Sequence, residues 1–593
     1  MSARELITDH LDLWTSAVTT RSTAGRGSSS GKRGKIELTG IKKLRELILE
    51  LAVRGKLVDQ DPSDEPASVL LERISEEKAR LVKEGKIKKP KKLPAVELEE
   101  EDFELPSSWL WVRLGSVGQI LGGGTPKSGE PSYWAEKGVS WLTPADLYGI
   151  NEKYIESGKR DISRLGLEKS SAQLLPEGAV LFSSRAPIGY VAIAAKALAT
   201  NQGFKSCAPY VREVSQFVYY FLKRSARHID ASASGTTFKE VSGSKVASIA
   251  MPLPPLEEQR RIVEKVDELM ALCDRLEQQV GDQLEAHEVL VDTLLDALTR
   301  STDAGEVVEN WARIAEHFDT LFTTEASIEK LKQTILQLAV MGRLVEQNPD
   351  DEPASLLLER IAEEKARLVN EGKIRKQKPL PEIAGDEYPF EIPAGWVVSR
   401  MDDITDIQSG IAKGKKHTGK KTTWLPYLRV ANVQRGRLDL SEVKEIEISC
   451  DETEKYSVKK RDLLITEGGD WDKVGRTAIW NAAIDPMAHQ NHVFRARLIL
   501  DEQNEKWIEK YLNSGFSREY FAGSSKQTTN LASINKTQLR SSTVPVPPIE
   551  EQRRIIEKID ELMAICDRLK ARLGEAGDTR TRLAEAVVEQ AVS

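Results

Sequence analysis

Polar loop residues carry most of the chemistry this chain could do. QSGIAKGKKHTGKK sets Lys413, Lys415, Lys416, His417, Lys420 and Lys421 among glycines, six basic or imidazole groups in nine residues. That is a composition suited to phosphate. The matching stretch earlier in the chain, LGGGTPKSGE, holds one base, Lys127, beside three glycines able to make a turn. SSRAPIG (183 to 189) offers Ser184 and Arg185, the latter suited to a guanine edge, and TEGGDWDKVGR (466 to 476) offers Asp470, Asp472, Lys473 and Arg476 for mixed readout. TNQGF (200 to 204) and HQNHV (489 to 493) supply Asn201, Gln202, Gln490 and Asn491, amides that match adenine. Lys239 in SGTTFKE and Lys526 in SSKQTTNLA are further phosphate ligands by type. Each of these residues also fits a solvated loop or a satisfied turn, so their weight comes from grouping.

Catalytic signatures are missing. There is no G-x-x-x-x-G-K-[ST] to cradle nucleotide phosphates and no Asn-Pro-Pro-aromatic tetrapeptide of the kind that grips a flipped adenine. Glu76-Glu77-Lys78 recurs at Glu363 to Lys365 within a charged helical pattern, where solvation and neighbouring ion pairs suffice. His489 and His492 lack a third ligand for a metal. Cys207, Cys273, Cys450 and Cys566 form no C-x-x-C pair, and Cys273 and Cys566 fall on apolar stripes as small hydrophobes. We expect no catalytic residue, no metal and no cofactor in this chain.

The elements that must position these loops come in two copies. LAVRGKLVDQDPSDEPASVLLERISEEKARLVKEGKIKK at Leu51 returns 287 residues later, and PPLEEQRRIVEKVDELMALCDRL at Pro254 returns 293 residues later with 19 of 23 positions identical. Each copy runs in the order helical pair, variable block, long helix. Ile262, Val266, Leu269, Cys273, Leu276 and Val280 are spaced 4, 3, 4, 3, 4, and Ile555, Ile559, Leu562, Cys566, Leu569 and Leu573 match them, a coiled-coil seam whose two copies are expected to pair. PLPP and PVPP stop the preceding block and start the helix afresh. The blocks themselves hold short apolar runs that predict strands and short helices in mixed order. They begin alike, at Trp109 and Trp396, which read as buried anchors, and then diverge.

Composition bounds the rest. With 593 residues, 40% hydrophobic and 30% charged, the chain suits several domains folding in water. It has no long apolar run, and Met1 to Thr20 is amphipathic and charged, so a cytoplasmic location is expected. Residues 105 to 252 carry a net +6 and 392 to 548 a net +4, against −17 for the remainder. A polyanion would therefore meet the blocks and not the helices. Residues 21 to 35, RSTAGRGSSSGKRGK, read as a flexible basic linker.

Together the tandem arrangement, GGGTPKSGEPSYWAEKGVSWLTPADL (122 to 147), LPYLRVANVQRG (425 to 436) and the repeated helix resemble the specificity subunit of type I restriction-modification enzymes. The resemblance covers nearly the whole chain. It implies an α+β fold, with two mixed α/β target recognition domains separated by long antiparallel coiled-coil helices in a tandem pseudo-twofold repeat. The expected domains are an extension and linker (1–35), a helical region (36–103), recognition domain 1 (104–252), a central helical spacer (253–390), recognition domain 2 (391–546) and a spacer helix (547–593). By the same resemblance each recognition domain reads one half of a bipartite double-stranded DNA target. The coil sets their spacing and docks two modification subunits, which methylate adenine with S-adenosylmethionine. Two restriction subunits use ATP and Mg. A repeated stretch of 23 residues spans roughly 35 Å at 1.5 Å per residue, near one DNA turn. A duplicated scaffold whose blocks bind proteins is the competing expectation.

Overall fold

The computed structural model describes residues 7–21, 35–89, 91–97, 100, 103–150, 152–185, 187–233, 239–301, 304–414, 417–469, 473–524, 526–528 and 531–592. They divide into two compact units: described residues of Met1–Thr20, Ile36–Asp282 and Gly577–Ser593 form one, and those of Arg21–Lys35 and Gln283–Ala576 the other.

The amphipathic patterns become helices. The first copy holds α1 (Thr39–Val53), α2 (Ala67–Lys83), α3 (Ser215–Ala231) inside its block and the long α4 (Leu256–Arg300). The second holds α5 (Glu325–Val340), α6 (Ala354–Asn370), α7 (Glu505–Leu512) inside its block and the long α8 (Ile549–Val592). Both long helices carry two glutamates in their first turn, where the positive end of the helix dipole favours them. At 45 and 44 residues each is about 67 Å long, roughly two DNA turns. The one-turn match expected from the 23-residue repeat thus measures only half of each helix.

The seams are buried, but the two copies do not share a core as expected. In the first unit Ile262, Val266, Leu269 and Cys273, with Leu276 at the margin, join Ile41, Leu44 and Ile48 of α1 and Ala584 of α8. In the second, Cys566, with Leu562 and Leu569 at the margin, joins Ile328, Leu331 and Ile335 of α5 and Val291, Leu295 and Leu298 from the later half of α4; Ile555 and Ile559 enter the core under Trp396. Each seam therefore closes on the short helix of its own copy and on the tail of the other long helix. The physical reason is supply: the opening helix of each copy already offers an apolar stripe of matching 3–4 period, adjacent in the fold.

The amino-terminal extension is partly structural. Ile7, Trp14 and Ala17 are fully buried, and Ile7 and Trp14 join Ile41 in one core, so part of the amphipathic extension packs into the first unit. Their pattern Ile7-x-x-His10-Leu11-Asp12 repeats Ile314-x-x-His317-Phe318-Asp319, which leads into α5 with Ile314 and Leu321 buried. The duplication thus reaches further upstream than the long identities show. The expected flexible stretch itself lies, at 22 to 34, outside the described residues.

Both blocks fold on one plan despite their sequences. The first has a sheet in the order 118–122, 205–209, 180–182, 191–194, 154–155, and a second in the order 134–135, 160–162, 139–142, 198–200, 174–175. The second block repeats the first four strands of the former as 405–409, 493–498, 463–466, 477–479, and the middle three of the latter as 444–449, 422–428, 488–489. Leu110–Arg113 pairs with Ala250–Leu253, and Val397–Arg400 with Thr543–Val546, so each block opens and closes on one ribbon.

That ribbon is fixed to the long helix by matched polar contacts. Trp109 and Trp396, buried as expected, donate their indole N–H to Glu258 and Glu551 at 2.8 and 3.0 Å. Each carboxylate sits in the first turn of its helix, 1% exposed, and burial raises its pKa. Gly55 (φ +68°) lies against Pro106 and the Trp109 ring, and Gly342 (φ +71°) against Pro393 and Trp396, where a side chain would both clash and strain the backbone. Arg113 clasps Glu100 and the Ser248 carbonyl, and Arg400 clasps Glu387 and the Ser541 carbonyl.

Trp109→Phe keeps an aromatic ring but leaves Glu258 one donor short in a buried site. We expect it to destabilise the first unit by about 1–3 kcal/mol, seen as a lowered denaturation midpoint; an unchanged midpoint would show that the bond contributes nothing net.

Candidate nucleic-acid interface

In the first block loops at the strand ends of both sheets are stitched together. Gly124 N donates to the Thr200 carbonyl at 2.9 Å, and a Cβ on Gly123 would stand 2.0 Å from the Asn201 oxygen and 2.3 Å from that of Thr200, so only glycine fits. Asn201 N donates to Leu142 O at 2.8 Å, Ser184 N donates to Gly203 O at 2.7 Å, and Val241 N donates to Ser184 O at 3.0 Å. Backbone groups do all of this. The side chains above it are free to vary.

The second block repeats the frame. A Cβ on Gly410 would stand 2.2 Å from His489 O and 2.4 Å from Gln490 O. Gln490 N donates to Leu428 O, Glu467 N to His492 O and Ile534 N to Glu467 O, each at 2.9 Å. Position 123 thus answers to 410, 184 to 467, 201 to 490, 203 to 492 and 241 to 534. Blocks that diverge in sequence after their opening tryptophans thus keep one hydrogen-bonded backbone frame under different side chains.

The frame sorts the sequence-chosen residues. In the first block Lys127, Gln202 and Lys239 are exposed and Arg185 is half-buried, its backbone bridged to Glu240. Gln202 accepts from the Thr125 hydroxyl, and Lys239 lies 3.6 Å from Asp230. Ser184 is a correction: it is wholly buried and its hydroxyl donates to Gly203 O at 3.2 Å, which removes it from any ligand. Asn201 is half-buried, and its side-chain oxygen accepts from Gly203 N at 2.8 Å to close the turn. Lys205 was missed. Its ammonium lies 3.2 Å from the Gln202 carbonyl and 3.5 Å from Glu240, among the loops, but a strand context hid it.

In the second block Lys413 and Lys421 are exposed, while Lys420 is committed to Asp451 at 2.8 Å and, with the Ser449 hydroxyl, lowers that carboxyl to about 2. Lys415, Lys416 and Asp470 lie outside the described residues, as does the side chain of Lys526, whose backbone pairs with Ser533. Lys473 and Arg476 are half-buried beside Thr466, and Arg476 donates to Gln434 at 2.8 Å. Gln490 and Asn491 are half-buried on the frame, with the Asn491 amide 3.4 Å from the His492 ring. Glu467 and His492 were missed as a pair; His492 Nδ1 sits 2.7 Å from the carboxylate. His489 is fully buried, its Nδ1–H donating to Val493 O at 2.7 Å, and burial pushes its pKa down to about 4. It is a neutral structural residue. Among the described residues no group of His, Cys, Asp and Glu could hold a metal ion.

Two exposed polar loop clusters on one backbone frame, carried by duplicated helices, are what a reader of two DNA segments requires. The model of the type I restriction modification DNA specificity domain matches residues 106–286 and again 393–575. The chain belongs to the type I restriction-modification specificity subunits. It is 40% identical over 609 residues to the EcoEI specificity subunit and 41% identical over 612 residues to the EcoAI specificity subunit, both of Escherichia coli, with all of each chain covered. Among solved structures the HsdS subunit of Thermoanaerobacter tengcongensis aligns at 19% identity with a TM-score of 0.40, covering 84% of this chain and 99% of that one. As a specificity subunit the chain is non-catalytic; catalysis belongs to its partners in the complex. No described helix is long and apolar enough to cross a membrane.

Two predictions follow from the frame. Gly123→Ala and Gly410→Ala should each weaken specific DNA binding about tenfold or more, the order of one lost base-pair contact, through a different recognition domain; equal binding by titration would show that the loops can shift. Burial also makes His489 refuse a proton that the unfolded chain accepts, so stability should fall as pH drops from about 6.5 toward about 4. His489→Gln should flatten that dependence in denaturation curves taken across the window.

Proposed function

We propose that residues 104–252 and 391–546 each read one half of a bipartite, asymmetric DNA sequence. The helical segments 36–103, 253–390 and 547–593 hold the two readers and dock two methyltransferase subunits. The observation that carries this reading is the repetition of one backbone frame with different side chains. An unchanged frame suits a common ligand class, duplex DNA, while changed side chains suit different base sequences.

The helices support the second part. Their faces stayed nearly identical while the blocks diverged, as two equal docking surfaces for one partner would require. Partner subunits would supply the chemistry: methylation of adenine with S-adenosylmethionine, and ATP- and Mg-dependent translocation and cleavage by two restriction subunits. A cytoplasmic setting, where the DNA is, goes with this role.

Expressing the chain with its methyltransferase partner in a methylation-free host, followed by genome-wide mapping of N6-methyladenine, should yield a two-part motif with a fixed gap. Exchanging residues 104–252 for a relative's block should change one half of that motif and leave the other. Methylation independent of this chain, or a change in both halves, would sink the reading.

A further inference from the structure

One exposed cation of the first recognition domain is held by an aromatic ring alone. Arg160 lies on the strand Arg160–Ile162, exposed, and its guanidinium makes no hydrogen bond or ion pair with the described residues. Its plane instead stacks on the Trp134 ring, 3.8 Å from the centroid. That ring is itself fixed. Its indole N–H donates to the Lys127 carbonyl at 3.3 Å, and it meets Trp141 edge-on at 5.3 Å, while Trp141 donates to the Gly124 carbonyl at 2.9 Å. Both bonds end on the 123–127 loop of the frame. The stack therefore holds a charged five-donor fork in one orientation beside the reading loops, at low entropic cost when it binds an anion.

The second recognition domain repeats the position. Arg160 stands opposite Trp141, one residue before Leu142, whose carbonyl accepts from Asn201. Lys444 stands opposite Tyr427, one residue before Leu428, whose carbonyl accepts from Gln490. Lys444 is exposed and lies 3.2 Å from Glu442. Arginine in one domain and lysine in the other share charge but not hydrogen-bond geometry. A base edge would demand the geometry; a phosphate needs only the charge.

We infer that Arg160 and Lys444 are equivalent DNA-backbone contacts, one per recognition domain, each clamping a phosphate beside its reading loops. This rests on the DNA-reading role proposed above. Neither residue carries base specificity; each fixes the register in which its loops meet the groove.

The test uses the complex with its methyltransferase partner and a duplex bearing the mapped target. Binding is titrated by fluorescence anisotropy over a range of salt concentrations. Arg160→Ala and Lys444→Ala should each weaken binding and make the slope of log K against log salt shallower by about 0.9, the loss of one phosphate contact, with the methylation motif unchanged. Arg160→Lys should keep most of the slope, and Trp134→Ala should weaken binding while leaving the charge in place. An unchanged slope in both alanine variants overturns the inference, and so does a changed base preference in the matching half of the motif, which would make the residue a base reader. Absence of any two-part motif with the unaltered chain would instead overturn the underlying DNA-reading role, and the phosphate contacts with it.

Discussion

Each recognition domain is anchored on its long helix at one buried contact made twice, an indole N–H donated to a glutamate in the helix's first turn. Trp109–Glu258 and Trp396–Glu551 are each almost solvent-free, and each sits where a block's opening strand, its closing strand and the start of the helix meet. A buried carboxylate without its donor costs more than the bond gains, so the geometry tolerates little play. Prolines at 254, 255, 547 and 548 remove alternative backbone bonding at the same joint. The joint converts a packing relation into a fixed angle between reader and helix.

Around that joint the helices keep their docking residues while the blocks supply new partners for them. Arg73 of α2 meets Glu213 at 2.9 Å, and its counterpart Arg360 of α6 meets Glu502 at 2.9 Å. Asp267 of α4 takes Lys153 at 2.6 Å and the Tyr220 hydroxyl, and its counterpart Asp560 of α8 takes Lys506 at 3.0 Å. Exposed pairs of this kind add little stability. Their persistence between otherwise diverged blocks reflects placement: a block that meets these points is set on the helix in the same pose whatever bases it reads.

Within each block a similar division separates frame from reader. Backbone hydrogen bonds and two glycines in forced contact set where the loops lie, and the buried polar side chains Ser184 and His489 are consumed in holding them. What remains exposed, including Lys127, Gln202, Lys413 and Lys421, can change without disturbing the frame. Surface substitutions away from such features rarely cost stability, which permits new specificities to arise on an old fold.

The sequence by itself determined the duplication, the helices, the anchoring tryptophans and the stretches in which the reading residues fall. Those are encoded locally, in 3–4 apolar spacing, in proline joints and in polar runs between strands. It could not show that the two seams close on their own copies' short helices and on each other's tails, because equal stripes on several helices leave their partners undetermined until all are packed. Nor could it show that Ile7 and Trp14 complete a core, since a short amphipathic segment before a glycine-rich stretch looks the same whether docked or loose. Only the tertiary structure separated Ser184 from its neighbour Arg185 and brought Lys205, Glu467 and His492 to the site. Burial and hydrogen-bond partners across a sheet depend on residues distant in the chain, and no local spacing records them.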